Sequence, residues 1–182
     1  ARVRETAEQA GFHVYKKQES QEICFIPGGN YRWFIRQYMP EASSPGPIVN
    51  KQGEVLGYHH GITGYTIGQR RGLGVSSGKP LYVIHIDPES NTLMVGSRKE
   101  GYHTHLVADK VNWIEKPPEE PVSVQAKIRS LHPPQDALLY RINNSRAQVD
   151  FSTPQWAVAP GQSAVFYIDD RVVGGGIISY GE

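Results

Sequence analysis

The stretch SAVFYIDDRVVGGGIISY, residues 163–180, decides the fold. Two runs of β-branched and aromatic residues flank the turn at Asp169-Asp170, a pattern that is typical of a β-hairpin. Further runs of the same kind precede it, with turns between them: VSVQAKIRS (122–130), ALLYRINN (137–144) and RAQVDF (146–151). Short strands at this spacing predict a small closed antiparallel β-barrel of the six-stranded type.

Three consecutive glycines, 174–176, interrupt the last of these runs. Glycine in the interior of a strand marks a bulge or a close approach of another backbone. The sequence therefore predicts a bulge or a sharp bend where the barrel closes.

The first half of the chain has a different pattern. It predicts a helix over 2–10 that ends at Gly11, a strand in FHVYKK (12–17) and a short helix in NYRWFIRQYMP (30–40). Two hairpins follow, in PIVNKQGEVLG (47–57) and LYVIHIDPESNTLMVGS (81–97). The predicted fold class is mainly β with a minor α part (α+β), as a small central domain followed by the carboxy-terminal barrel.

Composition limits the possible functions. The 182 residues are 38% hydrophobic, which is enough for a core without disulfides or metals. A net charge of +1 rules out a broad basic field, so any RNA contact would be a local patch. No apolar run is long enough to cross a membrane, and a single cysteine fits a reducing, cytoplasmic setting.

That cysteine, Cys24, lies between Ile23 and Phe25. A free cysteine beside large apolar residues is commonly a small core residue, and the residues alone favour this interpretation. A reactive thiol would need a lowered pKa, which depends on groups near it in space.

The glycine-rich stretch GYHHGITGYTIGQRRGLG (57–74) contains further candidates. Adjacent histidines, His59 and His60, cannot easily both reach one ion, and no second ligand pair has zinc spacing, so we expect no metal. Arg70 and Arg71 fit either phosphate contacts or a solvated turn. The basic cluster KIRSLH (127–132) likewise fits either an RNA contact or an ordinary barrel rim.

Four motifs in order, SQEICFIP (20–27), YTIGQRRGLG (65–74), APGQSAVFY (159–167) and VVGGGII (172–178), resemble the tRNA-specific 2-thiouridylases of the MnmA/TrmU type. The resemblance implies a sulfurtransferase that thiolates C2 of the wobble uridine (U34) of tRNA. It implies tRNA and a sulfur-relay donor protein as partners, and ATP with Mg as the activating cosubstrate.

Members of that family carry an amino-terminal ATP-pyrophosphatase domain with an SGGxDS-like loop and a first catalytic cysteine. This sequence has neither the loop nor a second cysteine. It resembles the carboxy-terminal half of the enzyme, which lacks its nucleotide-binding domain. We expect this half to be inactive alone and to bind no ATP.

The resemblance also predicts domains and site residues. Residues 1–27 would be the end of the nucleotide-binding domain, 28–105 the central domain and 106–182 the barrel. Cys24 matches the family's second catalytic cysteine, the persulfide carrier. The predicted tRNA contacts are Arg129, Ser130 and Gln162, with Arg70 and Arg71 as further phosphate candidates.

Two alternatives stay open at this point. The chain could be a stand-alone RNA-binding barrel module whose cysteine is structural. It could also be a small-ligand-binding β-barrel, for example for a flavin. An SGGxDS loop upstream in a longer parent sequence would distinguish both from the thiouridylase interpretation.

Overall fold

A computed structural model describes residues 2–16, 26 and 31–179. The chain divides into two compact units, residues 1–41 and 42–182. The first unit contains helix α1, Arg2–Gln9, and helix α2, Tyr31–Tyr38, both as predicted. Gly11 follows α1 with a φ of 73°, the left-handed conformation that ends many helices. In α2 the rings of Phe34 and Tyr38 lie 4.5 Å apart between centroids.

The predicted strand in FHVYKK is wrong, because His13–Lys16 form a 3₁₀ helix. Aromatic and β-branched residues favour a strand only where a neighbouring strand completes the hydrogen-bond ladder. The described residues of this first unit include no strand that could provide such a partner.

The second unit begins with a four-stranded sheet. Its strands are β1 Gly46–Val49, β2 Val55–His59, β3 Tyr82–Asp87 and β4 Thr92–Gly96, in the order β2-β1-β4-β3. The pairs β1–β2 and β3–β4 are the two predicted hairpins. Strands β1 and β4 pair in parallel, with Ile48 opposite Leu93.

A closed six-stranded antiparallel barrel follows, as the fold class predicted. Around the barrel the order is β10-β5-β8-β7-β6-β9. Its strands are β5 Tyr102–Trp113, β6 Val122–Lys127, β7 Gln135–Arg141, β8 Arg146–Trp156, β9 Ser163–Ile168 and β10 Arg171–Ser179. Strand β5 was not among the predicted strands.

The glycine run lies at the closing strand β10 and confirms the predicted bulge. The register of β10 shifts against β5 between Gly175 and Ile177, and against β9 between Val172 and Gly174. A Cβ on Gly176 would lie 2.7 Å from the carbonyl oxygen of Asp109. The close approach of β5 therefore requires glycine at this position.

Two hydrophobic cores stabilise the second unit, one inside the barrel and one beneath the four-stranded sheet. The sheet core contains Ile48, Val83 and Leu93, which are fully buried. It also contains Ala157, directly after barrel strand β8, with Trp156 packed against it. The end of β8 therefore packs the barrel against the core of the four-stranded sheet.

Candidate functional site

Arg129 and Ser130 lie in a turn directly after β6. The Nη2 group of Arg129 donates a hydrogen bond to the carbonyl oxygen of Ala157. The amide of His132 donates to the carbonyl oxygen of Arg129 at 3.3 Å, which closes the turn. Ser130 is exposed. The turn therefore presents one arginine held in place and one exposed hydroxyl.

Gln162 ends a second turn, in which its amide donates to the carbonyl oxygen of Ala159 at 3.2 Å. The amide of Ile178 in turn donates to the carbonyl oxygen of Gln162 at 2.8 Å, which fixes the turn to β10. Gln162 is exposed, so its side chain is accessible to a ligand.

The two turns lie at the same end of the barrel. Strands β6 and β9 are antiparallel neighbours, with Lys127 opposite Val165. The turn after β6 and the turn before β9 therefore meet at one rim. The structure thus brings together the three residues that the sequence predicted as tRNA contacts: Arg129, Ser130 and Gln162.

Arg70 and Arg71 lie in a loop that is fixed to strand β3. The amide of Gly68 donates to the carbonyl oxygen of Val83 at 2.8 Å. The amide of Val83 donates in return to the carbonyl oxygen of Gln69 at 2.9 Å. Both arginines are exposed. Their loop is a fixed support for two exposed cations.

This loop packs against the residue that Arg129 contacts. Gly68 has a φ of 88°, and a Cβ there would lie 3.0 Å from the Cβ of Ala157. Ala157 thus touches the arginine loop on one side and Arg129 on another. We call residues 157–162, which run from Ala157 to Gln162, the junction segment.

Aromatic stacking holds the start of the junction segment. The ring of Trp156 packs edge-on against Tyr82, at 5.3 Å between centroids, and tilted against Tyr102, at 5.4 Å. The guanidinium carbon of Arg98 lies 5.2 Å from the Trp156 ring, within cation–π range. The sequence prediction missed this cluster, because its members are far apart in the chain.

Arg70, Arg71 and Arg129, the three arginines near the junction segment, form no salt bridge with a carboxylate that the structure describes. Within the described part of the chain, the salt bridges are Lys116–Glu119, Arg146–Asp109 and Arg171–Glu115. None of them involves Arg70, Arg71 or Arg129. An approaching polyanion therefore need not displace an acidic side chain from these arginines.

The histidine pair has a structural role in one member. His59 is fully buried, and its Nδ1 accepts a hydrogen bond from the amide of Gly61 at 3.0 Å. Its Nε2 therefore carries the proton and donates to the carbonyl oxygen of Asn91 at 2.9 Å. His60 is exposed. Among the described residues no group of acidic, histidine or cysteine side chains is arranged to hold a metal ion.

Cys24 lies outside the described residues, so its predicted role stays a prediction. The helices that the structure describes are all too short or too polar to span a membrane.

The fold and these surfaces define a class: a β-barrel joined to a mixed four-stranded sheet, with cationic and amide side chains on two turns that share a barrel rim. Three family models match the chain. They are the tRNA methyl transferase HUP domain over residues 1–28, the tRNA methyl transferase PRC-barrel domain over 32–97 and the aminomethyltransferase β-barrel domain over 103–178.

Three curated relatives share one name. The tRNA-specific 2-thiouridylase MnmA of Halothermothrix orenii is 47% identical over 97% of this chain and 49% of its own length. The proteins of the same name from Acetivibrio thermocellus and Magnetococcus marinus are 46% and 44% identical, again over 49% of their lengths. The chain belongs to the tRNA-specific 2-thiouridylase family, and it spans about half the length of these relatives.

Proposed function

We propose that this chain is the sulfur-carrying and RNA-facing part of a tRNA 2-thiouridylase, which transfers a persulfide sulfur to C2 of the wobble uridine U34. The similarity to relatives named tRNA-specific 2-thiouridylase supports this proposal over almost the whole chain. The lone cysteine fits a reducing compartment, so we assign the reaction to the cytoplasm. We assign the remaining steps to a nucleotide-binding domain of the same enzyme.

The residues of this chain do not fit an ATP site. The sequence contains no SGGxDS loop, and the match to the HUP model covers residues 1–28 only. Binding of ATP and Mg, and activation of the uridine oxygen, therefore belong to the nucleotide-binding domain in our proposal.

Cys24 is the proposed sulfur carrier. A donor protein leaves a persulfide, Cys24–S–SH, whose terminal sulfur attacks the adenylated C2 and displaces the activated oxygen as AMP. A second cysteine of the enzyme, outside this chain, then attacks Sγ of Cys24 and releases the terminal sulfur to the uridine or as hydrosulfide. The two cysteines end as a disulfide, which an external dithiol reduces before the next cycle.

The junction segment and its neighbours form the proposed tRNA surface. Arg129 offers charge to a phosphate, and Ser130 and Gln162 offer hydrogen bonds to phosphate or sugar at the same barrel rim. Such contacts position an RNA and do not read its sequence. The shared rim of these three residues is the structural observation that carries the RNA-binding part of the proposal.

The test is Cys24→Ser in the full-length enzyme. We expect the variant to form no 2-thiouridine with a persulfide donor, while ATP-dependent activation of tRNA continues. Release of pyrophosphate measures the activation step. Mass spectrometry of tRNA nucleosides measures the thiolation step. Normal 2-thiouridine formation by Cys24→Ser would refute the carrier role and return this cysteine to a structural interpretation.

A further inference from the structure

A groove of about 260 Å³ lies between the four-stranded sheet and the barrel, within the second unit. Strands β3, β5 and β10 and the junction segment line it. Its apolar lining includes Ile84, Leu106 and Ile178, which are buried. Three histidines also line it: His85, His103 and His105. We call this cavity the histidine groove.

The imidazole of His103 is largely uncharged at neutral pH. Burial lowers the pKa of His103, and the nearby His105, Lys51 and His85 lower it further. A neutral imidazole offers one hydrogen-bond donor, one acceptor and a flat π face. The hydrogen bonds of the described residues include none to the rings of His103 or His105. These groups are therefore available to a ligand.

The volume and the polarity of the histidine groove favour a flat, uncharged ring as its ligand. The volume is below the roughly 300–1,000 Å³ of pockets for drug-sized ligands, so the groove suits a single ring system. A neutral imidazole above an apolar floor offers little to a phosphate, which needs fixed positive charge or several N–H donors. A heteroaromatic ring can stack on an imidazole and form hydrogen bonds with its edge.

The groove is continuous with the proposed RNA surface. Val158 and Pro160, which line it, belong to the junction segment. They lie between Ala157, which Arg129 contacts, and Gln162 at the barrel rim. The groove lining and the proposed RNA surface therefore share one short segment of the chain. Unpaired RNA bases are commonly bound by stacking on aromatic side chains, histidine included.

We propose that the histidine groove receives one unstacked nucleobase of the bound RNA, between His103 and His105. The proposal rests on the proposed function for the source of the base. It adds a base-binding site to a surface whose other contacts go to phosphate and sugar.

The first experiment uses the 182-residue chain with ¹³C-labelled histidine rings. Uridine and adenosine 5′-monophosphates are titrated separately, with ribose 5-phosphate as a probe that lacks a base. We expect saturable shifts in the ring signals of His103 and His105 with both nucleotides and none with the sugar phosphate. The signal of His60, outside the groove lining, should stay in place.

A matched pair of variants follows. His105→Ala, at an exposed position, should weaken nucleotide binding at least tenfold, whereas His60→Ala, also at an exposed position, should leave it unchanged. Equal shifts with ribose 5-phosphate, or no shifts with nucleotides, would overturn the proposal.

A tRNA transcript tests the source of the base. We expect it to shift the same two ring signals and to compete with the mononucleotides. If nucleotides bind in the groove but tRNA shifts neither ring, the assignment to RNA is wrong. Because these readouts need neither Cys24 nor thiolation, failure of the groove is distinguishable from failure of the sulfur-carrier role.

Discussion

Arg129 donates a hydrogen bond to the carbonyl oxygen of Ala157, 28 residues away, at the point where strand β8 leaves the barrel. Ala157 belongs to the core of the four-stranded sheet. This hydrogen bond therefore fixes the guanidinium of Arg129 against the core of the four-stranded sheet before any ligand binds. An arginine has five N–H donors, so others remain for a phosphate. A side chain already ordered loses less conformational entropy on binding than a free one.

Arg129→Ala in the full-length enzyme should weaken tRNA binding by about one to two powers of ten, since a hydrogen bond to a charged group contributes roughly 1.5–3 kcal/mol. The slope of log affinity against log salt should also fall by about one counterion. Fluorescence titrations of tRNA over a salt series measure both quantities, and Arg71→Ala provides a comparison.

Arg141→Ala is the matched control for this prediction. Arg141 is an exposed arginine that donates to Oδ1 of Asn144 at 2.8 Å. It ends β7 beside the start of β6, at the opposite end of the barrel, because Leu139 pairs with Val122. Its removal should change affinity less than twofold. Unchanged affinity and slope for a folded Arg129→Ala protein would remove Arg129 from the RNA surface.

Gly176→Ala should destabilise the barrel by about 1–3 kcal/mol, the usual range for overpacking. The added methyl group would lie 2.7 Å from the carbonyl oxygen of Asp109 and 2.9 Å from Cγ2 of Val111. Gly78→Ala is the control, since a Cβ there would meet no atom within 4 Å. Chemical denaturation of both variants measures the difference. Equal free energies of unfolding would show that β5 and β10 can separate at no cost.

His59→Leu should lower the free energy of unfolding by about 2–6 kcal/mol, because two polar groups lose their partner. The substitution leaves the amide of Gly61 and the carbonyl oxygen of Asn91 without the partners they have now. Each buried polar group left unsatisfied costs about 1–3 kcal/mol. His60→Ala, at the adjacent exposed position, should change stability by less than about 0.5 kcal/mol. Similar urea midpoints for the two variants would contradict the structural role of His59.

His103 should titrate below the ordinary histidine value of 6.5, mainly because it is partly buried. The unfolded chain then binds a proton at this site more readily than the folded chain does. Between 6.5 and the lower folded pKa, stability therefore falls as the pH decreases. Ring ¹³C shifts over a pH series measure the folded value.

Lys51→Ala is the companion variant for that titration. Lys51 is one of the charges that lower the pKa of His103, so its removal should raise that pKa without restoring the ordinary value, since burial remains. A wild-type midpoint at or above 6.5 would show that the ring is not desolvated.

Local patterns in the sequence were sufficient to predict the second hairpin and the glycine bulge. The strand LYVIHID alternates in burial only in part, yet turn residues between Asp87 and Thr92 mark its end clearly. Three consecutive glycines predicted the bulge. The structure shows that a side chain at any of these positions would contact a neighbouring strand.

Strand β5 was missed for the opposite reason. Its first third, YHTH, is polar and mostly exposed, so it shows no alternation. It becomes a strand by pairing with β8 on one side and β10 on the other.

The candidate site was predictable residue by residue but not as a surface. The family resemblance pointed to Arg129 and Gln162, although only Gln162 lies in one of the four motifs. Their meeting at one rim depends on the β6–β9 register, and the contact of Arg129 with Ala157 depends on the path of β8. Neither is a local property of the chain. The histidine groove had no sequence signal, because His85 and His103 come from different strands of different sheets.

The closure of the barrel by β10 has a consequence for synthesis on the ribosome. Strand β5 pairs with β8 and β10, and β10 also pairs with β9, so the ring is incomplete until β10 has left the exit tunnel. Until then the nascent chain exposes an unpaired edge of β5 and a half-covered apolar interior. Such edges are prone to pair with other chains. Among the six barrel strands, β10 is the last in chain order, and its emergence ends the period in which this barrel is most vulnerable to aggregation.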